Sequence, residues 1–179
     1  MPDASRPVAE TFAVCPNCGS KPESVGQSPF RCSSCDYGFY FSPAAAVGGI
    51  IVNEKSEVLL LIRARDPGKG CFGLPGGFTD AGETLEKSLV REVMEETSLA
   101  VSRMSYLCSF PNSYPYRGVT VDVLDVFFVC EVRSFDDLKV DPGEVEGYFL
   151  GHPDDEVLDK LAFASNRSAL ELFLEQRTN

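Results

Sequence analysis

Three glutamates, Glu92, Glu95 and Glu96, follow Arg91 in the run Arg-Glu-Val-Met-Glu-Glu. Their spacing of i, i+3 and i+4 sets all three carboxylates on one face of a helix. Like charges held that close repel one another. A divalent cation relieves the repulsion, and hard carboxylate oxygens suit Mg2+ or Mn2+. Arg91 stands where it can pair with one of the carboxylates and fix its rotamer. The alternative is a solvated acidic helix face, which is what such charge runs usually are.

A helix over residues 84–97 must carry these groups. Thr84 is its predicted N-cap, and Gly76, Gly77 and Gly82 supply a flexible turn before it. Leu89, Val90, Val93 and Met94 fall on the side away from the carboxylates, which predicts an amphipathic helix with that side buried.

From Gly77 through Glu83 to Arg91-Glu92-Val93-Met94-Glu95-Glu96-Thr97-Ser98-Leu99, the run resembles the Nudix box. Phe72-Gly-Leu-Pro-Gly-Gly77 resembles the family's approach to it. Ser98 departs from the pattern, standing where the family has a glycine. That glycine ends the helix in a left-handed conformation, which Ser adopts less readily, so a different helix end or slight strain is expected. The resemblance covers about residues 43–177. It implies an α/β fold, the Nudix α/β/α sandwich on a mixed sheet. It also implies Mg2+-dependent hydrolysis of the pyrophosphate bond of a nucleoside diphosphate derivative. By position, Glu92, Glu95 and Glu96 would hold Mg2+, with the carbonyl of Gly77 as an additional ligand. Glu83 would buttress the loop, and Arg91 would orient a catalytic carboxylate. The general base varies among relatives. It is either a box glutamate or a glutamate after the long late strand, where Glu144 and Glu146 in Asp-Pro-Gly-Glu-Val-Glu-Gly are candidates. Each of those two could equally be a solvated turn residue.

Two Cys-x-x-Cys pairs, Cys15/Cys18 and Cys32/Cys35, stand near the start of the chain. Four thiolates at this spacing suit tetrahedral Zn2+. The alternatives are a disulfide pair or a redox Cys-x-x-Cys. Gly19 and Gly38 follow the pairs and could let the chain turn back under a metal. So short a segment builds little core, so a bound metal would supply its folding energy. The site would be closed, hence structural, and the segment resembles a zinc ribbon. Cys71, Cys108 and Cys130 lie in apolar stretches and are expected to be buried free thiols. No segment reads as a signal peptide or a long apolar span. Free thiols beside a thiolate site give the expectation of a reducing cytoplasm.

The chain has 179 residues and a formal net charge of −11. Arg6, Lys21 and Arg31 against Asp3, Glu10, Glu23 and Asp36 leave residues 1–42 at −1. A module that tracks a nucleic-acid backbone needs clustered Lys and Arg, so nucleic acid is not the expected partner and neither is a membrane. The one histidine, His152, sits in a Gly-His-Pro turn. Proton transfer therefore falls to a carboxylate or a metal-bound water.

Residues 1–11 read as a flexible tail, 12–42 as the ribbon and 43–179 as the hydrolase domain. Predicted strands cover 44–52, 57–65, 101–110, 119–132 and 144–150, with Pro111–Gly118 as a joint. Predicted helices cover 154–162 and 166–176 besides the box helix.

A ribbon ahead of a Nudix domain is similar to the NADH pyrophosphatase-type dinucleotide hydrolases. Those enzymes carry Ser-Gln-Pro-Trp-Pro-Phe-Pro after the box. Here Ser109-Phe-Pro-Asn-Ser-Tyr-Pro-Tyr116 keeps the serine, the third-position proline and an aromatic–proline element but not the Gln or Trp. The substrate is thus expected to be a small nucleotide, a dinucleotide or related ester such as NADH, ADP-ribose or FAD. Tyr114 and Tyr116 are candidate stacking partners for its rings. Arg63, Arg65 and Arg117 are candidate phosphate contacts. Two other functions fit the same motifs: a housecleaning nucleoside triphosphate pyrophosphohydrolase and a non-catalytic metabolite-sensing module. Many relatives pair up, so a homodimer is an expectation, with Phe39, Tyr40 and Phe41 lining an interface or the substrate pocket.

Overall fold

A computed structural model describes residues 5–178. The elements in chain order are β1 (Arg6–Pro7), a 3-10 turn (Val8–Thr11), β2 (Phe30–Arg31), β3 (Gly38–Phe39), β4 (Ala44–Ile51), β5 (Val58–Arg63), β6 (Phe72–Gly73) and β7 (Gly76–Phe78). Then follow α1 (Leu85–Thr97), β8 (Val101–Tyr116), β9 (Val119–Val132), β10 (Val145–Gly151), α2 (Asp155–Asp159) and α3 (Ala164–Thr178). The chain forms two compact units, one of residues 1–44 with 113–123 and one of 45–112 with 124–179.

In the larger unit β9, β4 and β7 are neighbours in one sheet, with β8 paired to β9. A second sheet runs β10–β5–β6, and residue Leu161 extends it by a parallel bridge to Phe72. Alternate residues of each central strand face different cores. Val47 and Ile51 of β4, Leu59 and Leu61 of β5, and Val126, Phe128 and Cys130 of β9 pack with Leu89 and Val93 of α1. Ile50, Val58, Leu60 and Phe127 pack instead with Ala169, Leu170 and Phe173 of α3. Strands buried on both faces read as continuous apolar runs, which explains the sequence of β4 and β9. This is the α/β/α sandwich expected from the sequence, with the strands divided between two sheets.

In the smaller unit β2 and β3 form a hairpin, and β1 runs parallel to the first residues of β9. Of the expected tail, residues 1–4 lie outside the described residues, while residues 5–11 carry β1 and the 3-10 turn with Ala9 buried. Phe12, Phe39 and Phe41 pack ring against ring, with centroids 4.8–5.3 Å apart, and help close the ribbon's own core. Tyr40 stays exposed.

Several elements differ from their sequence prediction. β8 does not stop at Phe110 but continues through Pro111 and Pro115 to Tyr116. Among the described residues it has one strand neighbour, β9, and an edge strand tolerates residues that lack an N–H. Only Arg117 and Gly118 then make the turn, both at positive φ, the two-residue hairpin that matches strand twist. α1 buries Leu89 and Val93 as expected but leaves Val90 and Met94 exposed; Ser88 and Thr97 complete its buried stripe. α2 is shorter than expected because Leu161 is taken up by the bridge to Phe72. Cys108 and Cys130 are buried, whereas Cys71 is half-buried. No helix among the described residues is long and apolar enough to cross a membrane.

Candidate active site

Thr84 caps α1, its hydroxyl accepting from Lys87 N at 3.3 Å. The helix ends at Ser98, which takes the left-handed conformation (φ 59°) despite not being glycine and donates its N–H to Met94 O. One face of α1 points at the β7 segment. Gly76 sits at φ 145°, and a Cβ there would lie 2.0 Å from the Val47 carbonyl. A Cβ on Gly77 would lie 2.8 Å from the Glu92 carboxyl carbon. Only glycine at 76 lets β7 pass this close to the β4 backbone, whereas Gly77 faces the far end of the Glu92 side chain; Gly76 N lies 2.8 Å from Glu96 Oε2, to which it donates.

Arg91 is the hub of the acidic face. Its Nε donates to Glu83 Oε1 at 3.1 Å and one terminal nitrogen to Glu83 Oε2 at 3.0 Å. The other terminal nitrogen donates to Glu92 Oε1 at 2.8 Å and Glu95 Oε2 at 3.1 Å, and Phe78 O accepts as well. Glu83 also accepts from Ser88 Oγ at 2.7 Å. Arg91 and these bonds pull the Glu83 carboxyl down to about 2. Glu95, by contrast, is mostly exposed.

Glu92 and Glu96 are shifted the other way. Burial raises both, and Glu96 is pushed up to about 8. The Gly76 N–H and the Arg63 guanidinium partly offset the shift at Glu96, while the charges of Glu92 and Glu144 add to it. Glu144 also raises Glu92, so the structure brings Glu144 into the field of these two carboxylates. Glu144 itself accepts from Arg65 at 2.8 Å, and Glu146 pairs with Lys69 at 3.3 Å. Burial and mutual repulsion thus disfavour ionisation of both Glu92 and Glu96, although Arg91 pairs with Glu92 and the Gly76 N–H with Glu96. Hard oxygens under mutual repulsion fit a divalent cation.

Among the described residues, only Cys15, Cys18, Cys32 and Cys35 bring four ligand atoms within 4.8 Å of one another. The three box glutamates do not converge in this way. The sulfurs of Cys15 and Cys35 are 3.8 Å apart and those of Cys18 and Cys32 are 3.7 Å apart, well beyond a disulfide bond, and all four cysteines are free. The two knuckles repeat one geometry. Gly19 N donates to Cys15 O and Asp36 N to Cys32 O, while Cys15 N donates to Ser20 O and Cys32 N to Tyr37 O. In the second knuckle Asp36, not Gly38, takes the left-handed turn position; Gly38 lies in β3. Ser20 Oγ stands 3.1 Å from Cys18 Sγ and 3.2 Å from Cys32 Sγ. It lowers both thiols, Cys32 to about 6, and so favours the thiolate form that binds metal.

Tyr114 and Tyr116 stand at the end of β8, in the smaller unit. Tyr116 lies under the Arg117 guanidinium, 5.2 Å from ring centroid to the carbon of that group. Several residues that shape the site carry no motif. Asn166 Oδ1 accepts from Leu74 N at 3.0 Å, and buried Ser165 donates to buried Asp125 at 2.5 Å. These fix the start of α3 against the segment leading to Gly76 and against β9.

Residues 42–173 match the NUDIX domain family model. An ADP-ribose pyrophosphatase of Methanocaldococcus jannaschii is 40% identical over 71% of this chain and 71% of its own length. The NAD-capped RNA hydrolase NudC of Shigella flexneri is 32% identical over 64% of this chain, and the match spans only 41% of that relative. The crystal structure of a MutT NUDIX hydrolase from Burkholderia pseudomallei superposes with a TM-score of 0.60 at 28% identity, covering 73% of this chain and 98% of that one. On the matched domain, its fold and the box that lines its acidic face, this chain belongs to the Nudix hydrolase family.

Proposed function

We propose that this enzyme hydrolyses the diphosphate bond of a small adenosine diphosphate ester, with ADP-ribose and NAD(H) as the substrates to test first. The observation that carries this is the matched box on α1, where Arg91 bonds Glu92 and Glu95 and the Gly76 N–H bonds Glu96, with the Glu144 turn tied to Glu96 through Asp141 N. The relative named an ADP-ribose pyrophosphatase and the relatives named NAD-capped RNA hydrolases support the substrate class, since both named substrates contain a ribose-linked diphosphate. The low positive charge of residues 1–42 favours a small nucleotide over RNA.

Glu92, Glu95, Glu96 and the Gly77 carbonyl are the groups that would hold Mg2+ or Mn2+. Bound there, the cation would neutralise charge developing on the phosphoryl oxygens. Arg91 holds Glu92 and Glu95 by hydrogen bonds and is itself braced by Glu83. Glu144 is the proposed general base. It would accept a proton from the attacking water as the new P–O bond forms and the bridging P–O bond breaks. The four cysteines are proposed to hold a structural Zn2+.

The test is a substrate panel of ADP-ribose, NADH, NAD+, FAD and a nucleoside triphosphate with Mg2+, with products identified. AMP plus a second phosphomonoester is expected. Inorganic pyrophosphate from the triphosphate alone would favour the housecleaning activity, and tight binding without turnover would favour a sensor. Glu96→Gln is expected to lower turnover by orders of magnitude while the fold persists. An unchanged rate at saturating Mg2+ would remove the glutamates from the reaction.

A further inference from the structure

Arg63 and Arg65 have the same claim on a phosphate when only the sequence is read. The structure separates them. Arg65 is mostly exposed and is committed to Glu144. Arg63, at the end of β5, is held from two sides. Its Nε donates to Pro67 O at 2.8 Å, and its guanidinium carbon lies 5.0 Å from the centroid of the Phe163 ring.

Phe163 is itself firmly placed. Phe72 N donates to Lys160 O at 2.9 Å and Ala162 N to Phe72 O at 2.8 Å, so residues 160–162 run alongside β6. Just after Phe163, Ser165 is tied to Asp125 and Asn166 to Leu74. The ring therefore sits on a segment fastened at both ends. A guanidinium stacked on an aromatic face keeps its N–H edge for hydrogen bonds. With Nε used by the Pro67 carbonyl, the terminal amino groups remain outside that bond, and they are the edge that meets phosphate oxygens.

We propose that Phe163 is a positioning residue: its ring sets the plane of Arg63 so that this guanidinium binds the diphosphate of the substrate. The inference rests on the hydrolase function proposed above. Arg63 pairs with Val145 of β10 and Ala64 N donates to Glu144 O, which sets this end of β5 beside the turn that carries Glu144.

The experiment measures KM and kcat on ADP-ribose, and affinity for ADP by calorimetry, for Phe163→Leu, Phe163→Tyr, Arg63→Gln and the Phe163→Leu/Arg63→Gln double variant. Phe163→Leu is expected to raise KM, and to weaken ADP, by roughly two- to fivefold with little change in kcat. Phe163→Tyr, which keeps the ring, is expected to restore the wild-type values. In the Arg63→Gln background the Phe163→Leu penalty is expected to vanish, because the ring then has no guanidinium to hold. An unchanged KM and ADP affinity in Phe163→Leu, an equal penalty with or without Arg63, or no affinity of the wild type for ADP would each overturn the proposal. ADP binding separates the two ideas. Coupling between the two residues in ADP affinity, with no turnover of any diphosphate ester, would sink the hydrolase function and leave Phe163 as a positioning residue for the anion.

Discussion

The backbone N–H of Asp141 donates to the carbonyl of Glu96 at 3.1 Å. The turn that carries Glu144 is thereby fastened to the last turn of α1. Glu144 N and Val145 N both donate back to Asp141 O, and Ala64 N donates to Glu144 O. The position of Glu144 relative to Glu92 and Glu96 is thus set by main chain and does not depend on its exposed ion pair with Arg65, since such pairs contribute little on their own.

If Glu144 is the base, Glu144→Gln should lower kcat by about 100-fold or more with KM little changed. Glu146→Gln should leave kcat within a few fold, because Glu146 is paired to Lys69 on the exposed side of β10. Steady-state kinetics of the two variants on one substrate check this. Equal losses in both would remove Glu144 from the base role.

Arg91 makes a different prediction, because it touches every acidic partner of the box except Glu96. Lysine keeps the charge but loses the planar fork that spans Glu83, Glu92 and Glu95. Arg91→Lys is therefore expected to cost about 10- to 100-fold in Mg2+ affinity or activity, as loss of a group that orients ligands does. Titration of activity against Mg2+ would show the loss as a rightward shift. Glu83→Gln should act in the same direction, since Glu83 is what braces Arg91.

The box helix, its cap and the long strand β9 were legible in the sequence because their signals are local. Thr84, the apolar run from Val123 to Val132 and the box spacing each carry their own geometry. What escaped depends on contacts between distant segments. Val90 and Met94 have the right period for a buried stripe, but the sandwich covers only the Leu89 and Val93 side. Phe163 and Asn166 have no motif, and their roles come from a bridge between Leu161 and Phe72, residues far apart in sequence. The prolines of β8 read as a loop because the sequence does not say that the strand lies at an edge.

Ser98 tests the backbone alone. It holds φ 59°, a conformation that costs a residue with a Cβ about 1 kcal/mol relative to glycine. Ser98→Gly is expected to raise stability by roughly 0.5–1 kcal/mol, read as a higher denaturant midpoint with unchanged kinetics. No change, or a loss, would mean that the αL strain is offset by another effect of the serine.

Asp125 makes stability depend on pH. Its carboxyl is buried, and burial raises its pKa above the usual aspartate range, with hydrogen bonds from Ser165 and Asn112 opposing the shift only in part. The folded chain therefore binds a proton more tightly than the unfolded chain does. Its contribution is most favourable below the unfolded pKa of about 3.9 and is lost as pH rises through the folded value. Asp125→Asn cannot ionise, yet its side-chain oxygen can still accept from Ser165. The variant should lose this downward slope, so its stability relative to wild type should improve steadily as pH climbs from 4 towards 7. Thermal melts at several pH values in that range decide the matter. A constant difference between the two proteins would show that Asp125 titrates alike in the folded and unfolded chain and that burial does not govern its titration.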